Sequence, residues 1–219
     1  MIIYFFPKNE GFSPENILHL LGRMPQQQQE IIGQMKNTTS RMDQIVAYVM
    51  LCQALKKNKK EIFASTPIIV EFNPADLTNR YLKTNPPLFH FGEHGKPYLT
   101  NYEGVYFNIS HCREAVVVGV SGKEVGIDAE GKRSFSESLL KRAYNEEEQA
   151  SVMKATEPEK EFARLWTRKE AWFKWTGTGI LLDHLDTTEA DATKAGCHIV
   201  TAQVTPSGNG KPFFISIAQ

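Results

Sequence analysis

Cysteine is scarce in this chain of 219 residues. Cys52, Cys112 and Cys197 are odd in number and far apart, so they spell neither a disulfide framework nor a zinc quartet. Net charge is missing as well: 25 Lys and Arg stand against 25 Asp and Glu, and neither half of the chain is a charged arm. A duplex-binding protein normally shows a basic excess or stripe, so no nucleic-acid partner is expected. Long apolar runs are also lacking. The stretch around Ile45–Leu51 falls well short of the roughly 20 residues a membrane span needs, and no membrane partner is expected. The opening Met1-Ile2-Ile3-Tyr4-Phe5-Phe6 is too short for a signal peptide and has no basic lead-in. The expectation is a cytoplasmic, reduced, soluble protein. What the chain does have is core material, with 41% hydrophobic and 11% aromatic residues, enough for one large domain or two small ones.

Residues 2–6 read as a short buried strand stopped by Pro7 and Gly11. Ser13-Pro14-Glu15 is a helix start, with proline tolerated in the first turn. From Thr39 to about Lys57, apolar residues at Met42, Ile45, Val46, Val49, Met50, Ala54 and Leu55 keep helical spacing and predict one long, largely buried helix. Residues 72–98 hold four prolines and two glycines and are expected to be mostly loop. Three strands then follow, Val105–Ile109, Ala115–Val120 and Val125–Asp128, and a helical region from about Glu137 to Trp175. Cys197–Val204 and Pro212–Ile217 are expected to form a hairpin turning at Asn209-Gly210. Helices and strands occur in both halves without strict alternation, which makes the class α+β. The proline-rich stretch at 84–103 is the candidate boundary, dividing the chain into 1–103 and 104–219.

The sharpest chemical feature is Val125-Gly126-Ile127-Asp128-Ala129-Glu130. On a strand, positions two apart share a face, so Asp128 and Glu130 project together. Two adjacent carboxylates repel each other, and a hard divalent cation such as Mg²⁺ resolves that repulsion; two solvated acids at a strand end would give the same pattern. Support comes from Leu165-Trp166-Thr167-Arg168-Lys169-Glu170-Ala171-Trp172-Phe173-Lys174. On a helix Glu170 and Lys174 lie one turn apart on one face, and the surrounding rings place them at a cleft edge rather than in open water. Gly177-Thr178-Gly179-Ile180 follows, either ending the helix or letting backbone approach a ligand. Phe107-Asn108-Ile109-Ser110-His111 ends a strand with a hydroxyl and an imidazole, both suited to a phosphate. Cys112 beside His111 raises a Cys–His protease, but neighbours on an extended chain face opposite ways and the pair would not meet. Gly95-Lys96-Pro97 puts a lysine on a rigid turn, suited to a phosphate or to solvent.

Together, Gly95-Lys96-Pro97, Asn108-Ile109-Ser110-His111, Gly126-Ile127-Asp128-Ala129-Glu130 and Trp166-Thr167-Arg168-Lys169-Glu170-Ala171 with Lys174, Gly177 and Gly179 resemble the 4′-phosphopantetheinyl transferases. The order and spacing are similar to the larger, monomeric type that activates peptide synthetases and other carrier-protein enzymes. The resemblance is clear over residues 95–180. It implies a pseudo-dimer of two similar α+β halves, with coenzyme A and Mg²⁺ in the cleft between them. The N-terminal half would contribute coenzyme A and carrier contacts, and the C-terminal half the metal site and catalytic helix. The implied activity is transfer of phosphopantetheine from coenzyme A to a serine of an apo acyl or peptidyl carrier protein, with release of 3′,5′-ADP. Carried over by residue, Asp128, Glu130 and Glu170 would hold the metal. Lys174 would neutralise the pyrophosphate, and Lys96, Ser110 and His111 would contact the nucleotide and its phosphates. Glu170 is the candidate base for the serine proton, with Glu130 a rival.

One departure stands out. Where the family carries basic residues ahead of the long N-terminal helix to grip the 3′-phosphate, this chain has Gln26-Gln27-Gln28-Gln29, leaving Lys36 and Arg41 as candidates. A homologue that only docks carriers, or a Mg²⁺-dependent hydrolase of nucleotide pyrophosphates, are the alternative readings. Leu139, Leu140 and Tyr144 form either a core-facing helix stripe or an exposed strip that receives a carrier helix.

Overall fold

The computed structural model describes residues 1–9, 12–57, 59–78, 82, 85–179, 192 and 194–219. Gly11 and Ile180, which the sequence reading used as punctuation, lie outside the described residues. The first strand, β1 (Ile2–Pro7), is buried along its whole length. Its alternation explains this: Ile2, Tyr4 and Phe6 face one apolar cluster, while Ile3 and Phe5 face another. After α1 (Pro14–Ile17), a 3₁₀ turn and α2 (Gln26–Gly33) comes the long helix α3 (Thr38–Ala54). Asn37 caps it by accepting a hydrogen bond from the Ser40 N–H at 3.0 Å. Then follow α4 (Lys59–Ile62), β2 (Ile68–Glu71) and a second 3₁₀ turn.

The described residues of 72–98 are mostly loop, as their prolines suggest, with one short ribbon set into them. Strands β3 (Phe89–Phe91) and β4 (Pro97–Leu99) pair antiparallel, with Gly95 supplying a positive φ of 82° in the turn. Strands of three residues are too short to show an alternation in sequence, and Pro97 is tolerated because it opens its strand.

The second half supplies β5 (Tyr106–His111), β6 (Ala115–Ser121), β7 (Gly126–Gly131), α5 (Glu137–Ala143), α6 (Glu146–Lys154), α7 (Pro158–Thr176), β8 (Ile199–Val204) and β9 (Phe213–Ala218). The strands form a four-stranded sheet in the order β2-β1-β6-β5, a two-stranded ribbon β3-β4, and a three-stranded sheet β7-β9-β8. β8 and β9 pair from Val204↔Phe213 outward, so the hairpin loop runs from 205 to 212 and is no two-residue turn. Its positive φ falls at Gly208, while Gly210 packs on the Pro206 ring.

The larger sheet joins strands from both sides of residue 103, with Ile2 opposite Val120 in the β1–β6 pair. Four layers result. α3 covers one face of the larger sheet through Ile45, Val49 and their neighbours. The other face, through Ile3, Phe5 and Val117, meets Ile127, Ala129, Ile215 and Ile217 of the smaller sheet. On the far side of that smaller sheet lies α7. Leu140 and Tyr144 are buried with Phe162 and Trp166, and the Tyr144 hydroxyl donates to the Phe162 carbonyl at 2.8 Å. That stripe is therefore core, and not a strip open to a carrier helix. Among the described residues, no helix is long and apolar enough to cross a membrane.

Backbone meets backbone in this stack between α7 and β7. A Cβ built on Gly126 would lie 2.1 Å from the Ala171 carbonyl oxygen and 2.3 Å from the Trp175 nitrogen. Both atoms are helix backbone and cannot step aside, so only glycine fits. Gly126→Ala is expected to destabilise the protein by about 2–3 kcal/mol in urea unfolding followed by circular dichroism.

Candidate active site

β5 and β7 lie side by side, and side chains of β5 reach across to the β7 backbone. Asn108 and Ser110, two apart and so on one face, are both buried. The Asn108 Oδ1 accepts the Ile127 N–H at 3.0 Å, and the Ser110 Oγ accepts the Ala129 N–H at 3.1 Å. The same Ser110 hydroxyl donates to the Asp128 Oδ1 at 2.8 Å. Lys174 on α7 then donates to that carboxylate oxygen at 2.7 Å and to the Ser110 Oγ at 3.0 Å. Ser110 therefore fills both the donor and acceptor capacity of its hydroxyl while fixing the Asp128 carboxylate.

Ser110, His111, Asp128, Glu130, Glu170 and Lys174 all line one cavity of about 430 Å³. The strand and helix spacings read from the sequence are what bring them there. A second cavity of about 410 Å³ adjoins it, sharing Pro97, Ile109, Glu170 and Lys174, and is walled by residues 94–97 and by Gly177 and Gly179. At the first cavity's wall the sequence reading missed Arg133. Its Nη1 donates to the Glu130 Oε2 at 2.9 Å, and its guanidinium lies 4.5 Å over the Trp166 ring. The available signal was its place three residues after Glu130, at the mouth of the same strand. Gln44, from α3, also reaches this wall.

The acids feel one another. Burial and the nearby Asp128 push Glu170 up to about 7, against the opposing pull of Lys174 and Arg133. Burial also raises Glu130, with Arg133 opposing and Asp128 adding to the rise. Among the described residues, no three His, Cys, Asp or Glu side chains are gathered as a ready-made metal cluster. Lys174 stands on Asp128 and Arg133 on Glu130 instead. The donor chemistry nevertheless fits a hard cation: three carboxylates border one space, two are raised by burial with the neighbouring acids adding to it, and the cations now beside them are single charges on side chains.

The remaining expected contacts fall differently. Lys96 borders the second cavity, yet its ammonium is bound by the Glu124 carboxylate and by the Trp175 carbonyl at 3.0 Å. It ties the end of α7 to the start of β7 and is not presented to an anion. Arg41 donates to the Met35 carbonyl and, at 3.2 Å, to the Gly33 carbonyl, so it caps the end of α2. Lys36 is exposed, and neither residue lines these two cavities. His111 is half-exposed at the cavity rim, 3.9 Å from the Asp43 carboxylate, whose other oxygen pairs with Lys8 at 2.7 Å. Burial lowers its pKa, with Asp43 opposing. Cys112 points the other way into the core, and burial pushes its thiol up to about 12, which removes a cysteine nucleophile.

Known proteins resemble this chain over part of its length. Residues 124–207 match the family model of the 4′-phosphopantetheinyl transferase superfamily. A 4′-phosphopantetheinyl transferase of Bacillus subtilis is 34% identical over 103 residues, covering 45% of this chain and 46% of that protein. Sfp of Bacillus subtilis strain 168, a 4′-phosphopantetheinyl transferase, is 28% identical over 131 residues, 54% of this chain and 58% of Sfp. HetI of Nostoc, bearing the same description, is 36% identical over 100 residues, 42% of each chain. In these alignments the chain spans about half the length of the curated relatives it matches.

The raised Glu170 has a consequence for stability. Its folded pKa, about 7, exceeds the ordinary 4.5, so the protein loses stability as pH rises from 4.5 through 7. Glu170→Gln removes that loss. In chelator, the variant is expected to match the parent near pH 4.5 and to exceed it by about 1–2 kcal/mol at pH 8, once solvent screening is allowed for. Thermal melts at the two pH values read the difference, and a gap that does not widen with pH would contradict the assignment.

Proposed function

We propose that this protein, whose residues 124–207 belong to the 4′-phosphopantetheinyl transferase superfamily, transfers phosphopantetheine from coenzyme A to a serine of an apo acyl or peptidyl carrier protein. The observation that carries the reading is the meeting of Asp128, Glu130, Glu170 and Lys174 in one cavity, contributed by a strand and a helix. A bound Mg²⁺, held by those three carboxylates, would absorb charge on the pyrophosphate. Glu170, at the cavity wall one helical turn from Lys174, is the candidate base for the serine proton, with Glu130 its rival. The serine oxygen bonds to the β-phosphorus, the bridging P–O bond breaks, and 3′,5′-ADP leaves with the bond's electron pair. The Lys174 ammonium, already within 3.0 Å of Ser110 and 2.7 Å of Asp128, would turn to the charge developing on the leaving phosphate. In this reading the two halves of the chain form a pseudo-dimer around the cleft, the enzyme works as a cytoplasmic monomer, and the adjoining cavity accommodates the nucleotide.

The test is the intact mass of an apo carrier protein after incubation with the protein, coenzyme A and Mg²⁺. A gain of one phosphopantetheine, abolished by chelator, is expected. Asp128→Ala, Glu130→Ala and Glu170→Gln should each lower the rate by about 10²-fold or more, with the carrier still bound. Undiminished transfer in all three would end the proposal. Release of 3′,5′-ADP without carrier would favour a hydrolase, and carrier binding without transfer a docking protein.

With Arg41 turned to the end of α2, glutamines at 26–29 and Lys36 away from both cavities, the side chains expected to grip a 3′-phosphate bring no charge to the site. Coenzyme A and its 3′-dephospho form are expected to bind within about three-fold of each other by calorimetry, where a full charge-assisted contact would give ten-fold or more.

A further inference from the structure

Arg133 lies where a divalent cation would have to compete. It follows the last residue of β7 by two positions, and its backbone N–H donates to the Glu159 carbonyl at 3.4 Å. From there the side chain folds back over the strand end onto Glu130. Its planar group is stacked on Trp166, which stands one helical turn before Glu170. This pair differs from the Lys169–Glu148 pair nearby. Lys169 and Glu148, joined at 2.7 Å with side chains 2% and 15% exposed, form a sealed tie between α7 and α6. The Arg133 and Glu130 side chains are 36% and 24% exposed and both border the cavity, so solvent, and a solvated ion, can reach the pair.

We propose that Arg133 is the resident counter-ion of Glu130 and sets the divalent-cation affinity of the site, so that cation entry releases the guanidinium into the cavity. The inference rests on the reading of the three acids as a cation site. With Asp128, Glu130 and Glu170 ionised, Lys174 and Arg133 leave the cavity one formal negative charge, and removing Arg133 leaves two. A nearby positive charge also opposes a second cation at a distance where the Coulomb term is large, and the guanidinium's donors occupy a carboxylate oxygen that the metal needs. Stacking on Trp166 does not depend on Glu130. Once displaced, the guanidinium is therefore held at the cavity wall with its donors turned free, a fit for an anionic group of an incoming substrate.

The test uses the full chain and Mn²⁺ as the probe, read by electron paramagnetic resonance with and without coenzyme A. Arg133→Gln should bind Mn²⁺ about ten-fold more tightly than the parent. Arg133→Lys, which keeps the charge, should stay within about three-fold of the parent, and this separates loss of charge from misfolding. In the parent, Mg²⁺ should change tryptophan emission as the guanidinium over Trp166 exchanges Glu130 for solvent, and this change should vanish in Arg133→Gln and in Trp166→Phe. Equal or weaker Mn²⁺ binding by Arg133→Gln, or no binding by either protein, overturns the proposal. Transfer to a carrier by the parent is scored separately, so failure of the counter-ion role and failure of the transferase reading are told apart.

Discussion

The site depends on how closely one helix can approach one strand. Gly126 removes the side chain that would hold α7 away, and the helix backbone settles onto β7 at the first residue of that strand. Everything chemical follows from that distance. Asp128 and Glu130, two and four residues further along, share the face of Gly126. Glu170 and Lys174, one turn apart on α7, then lie over them, and Lys174 can reach Asp128 at 2.7 Å. A bulkier residue at 126 would leave the same four side chains in the chain but not in the same cavity.

The strand β5 completes the arrangement from the other side. Its Asn108 and Ser110 bond to the β7 backbone as a neighbouring strand's amides and carbonyls otherwise would. They thereby register the larger sheet against the smaller one, and Ser110 ends its reach on Asp128. Ser110, which from sequence looks like a phosphate ligand, thus also aligns the two sheets. Any substitution there acts on registry and on the site together, because the same hydroxyl serves both.

Much of this was legible in the sequence. Period-two spacing put Asp128 and Glu130 on one face, and period-3.6 spacing did the same for Glu170 and Lys174; the cavity confirms both. The long helix, the three middle strands and the final pair of strands were readable because their apolar residues repeat at these periods. The β3–β4 ribbon was not, since three-residue strands carry no period. The partners of Lys96 and Arg41 are not legible in sequence for a different reason. A lysine on a turn and an arginine at a helix start look free in one dimension, yet here Lys96 is bound by Glu124 and Arg41 by the carbonyls that end α2. Arg133 went unseen because its partners, Glu130 and Trp166, are brought together only by folding.

The position of β1 has a bearing on how the molecule is made. This strand lies between β2 and β6, and its Ile2 pairs with Val120, past the middle of the chain. A ribosome delivers β1 early and its antiparallel partner only after α3 and the β3–β4 ribbon have been made. Until then Ile2–Pro7, apolar on both faces, has an open edge and no second sheet to cover Ile3 and Phe5. Such contacts between distant residues slow folding and leave a sticky strand in waiting. The nascent chain is where this strand is exposed to aggregation: β6 closes its edge, and the interval ends only when β7 and β9 supply the second sheet.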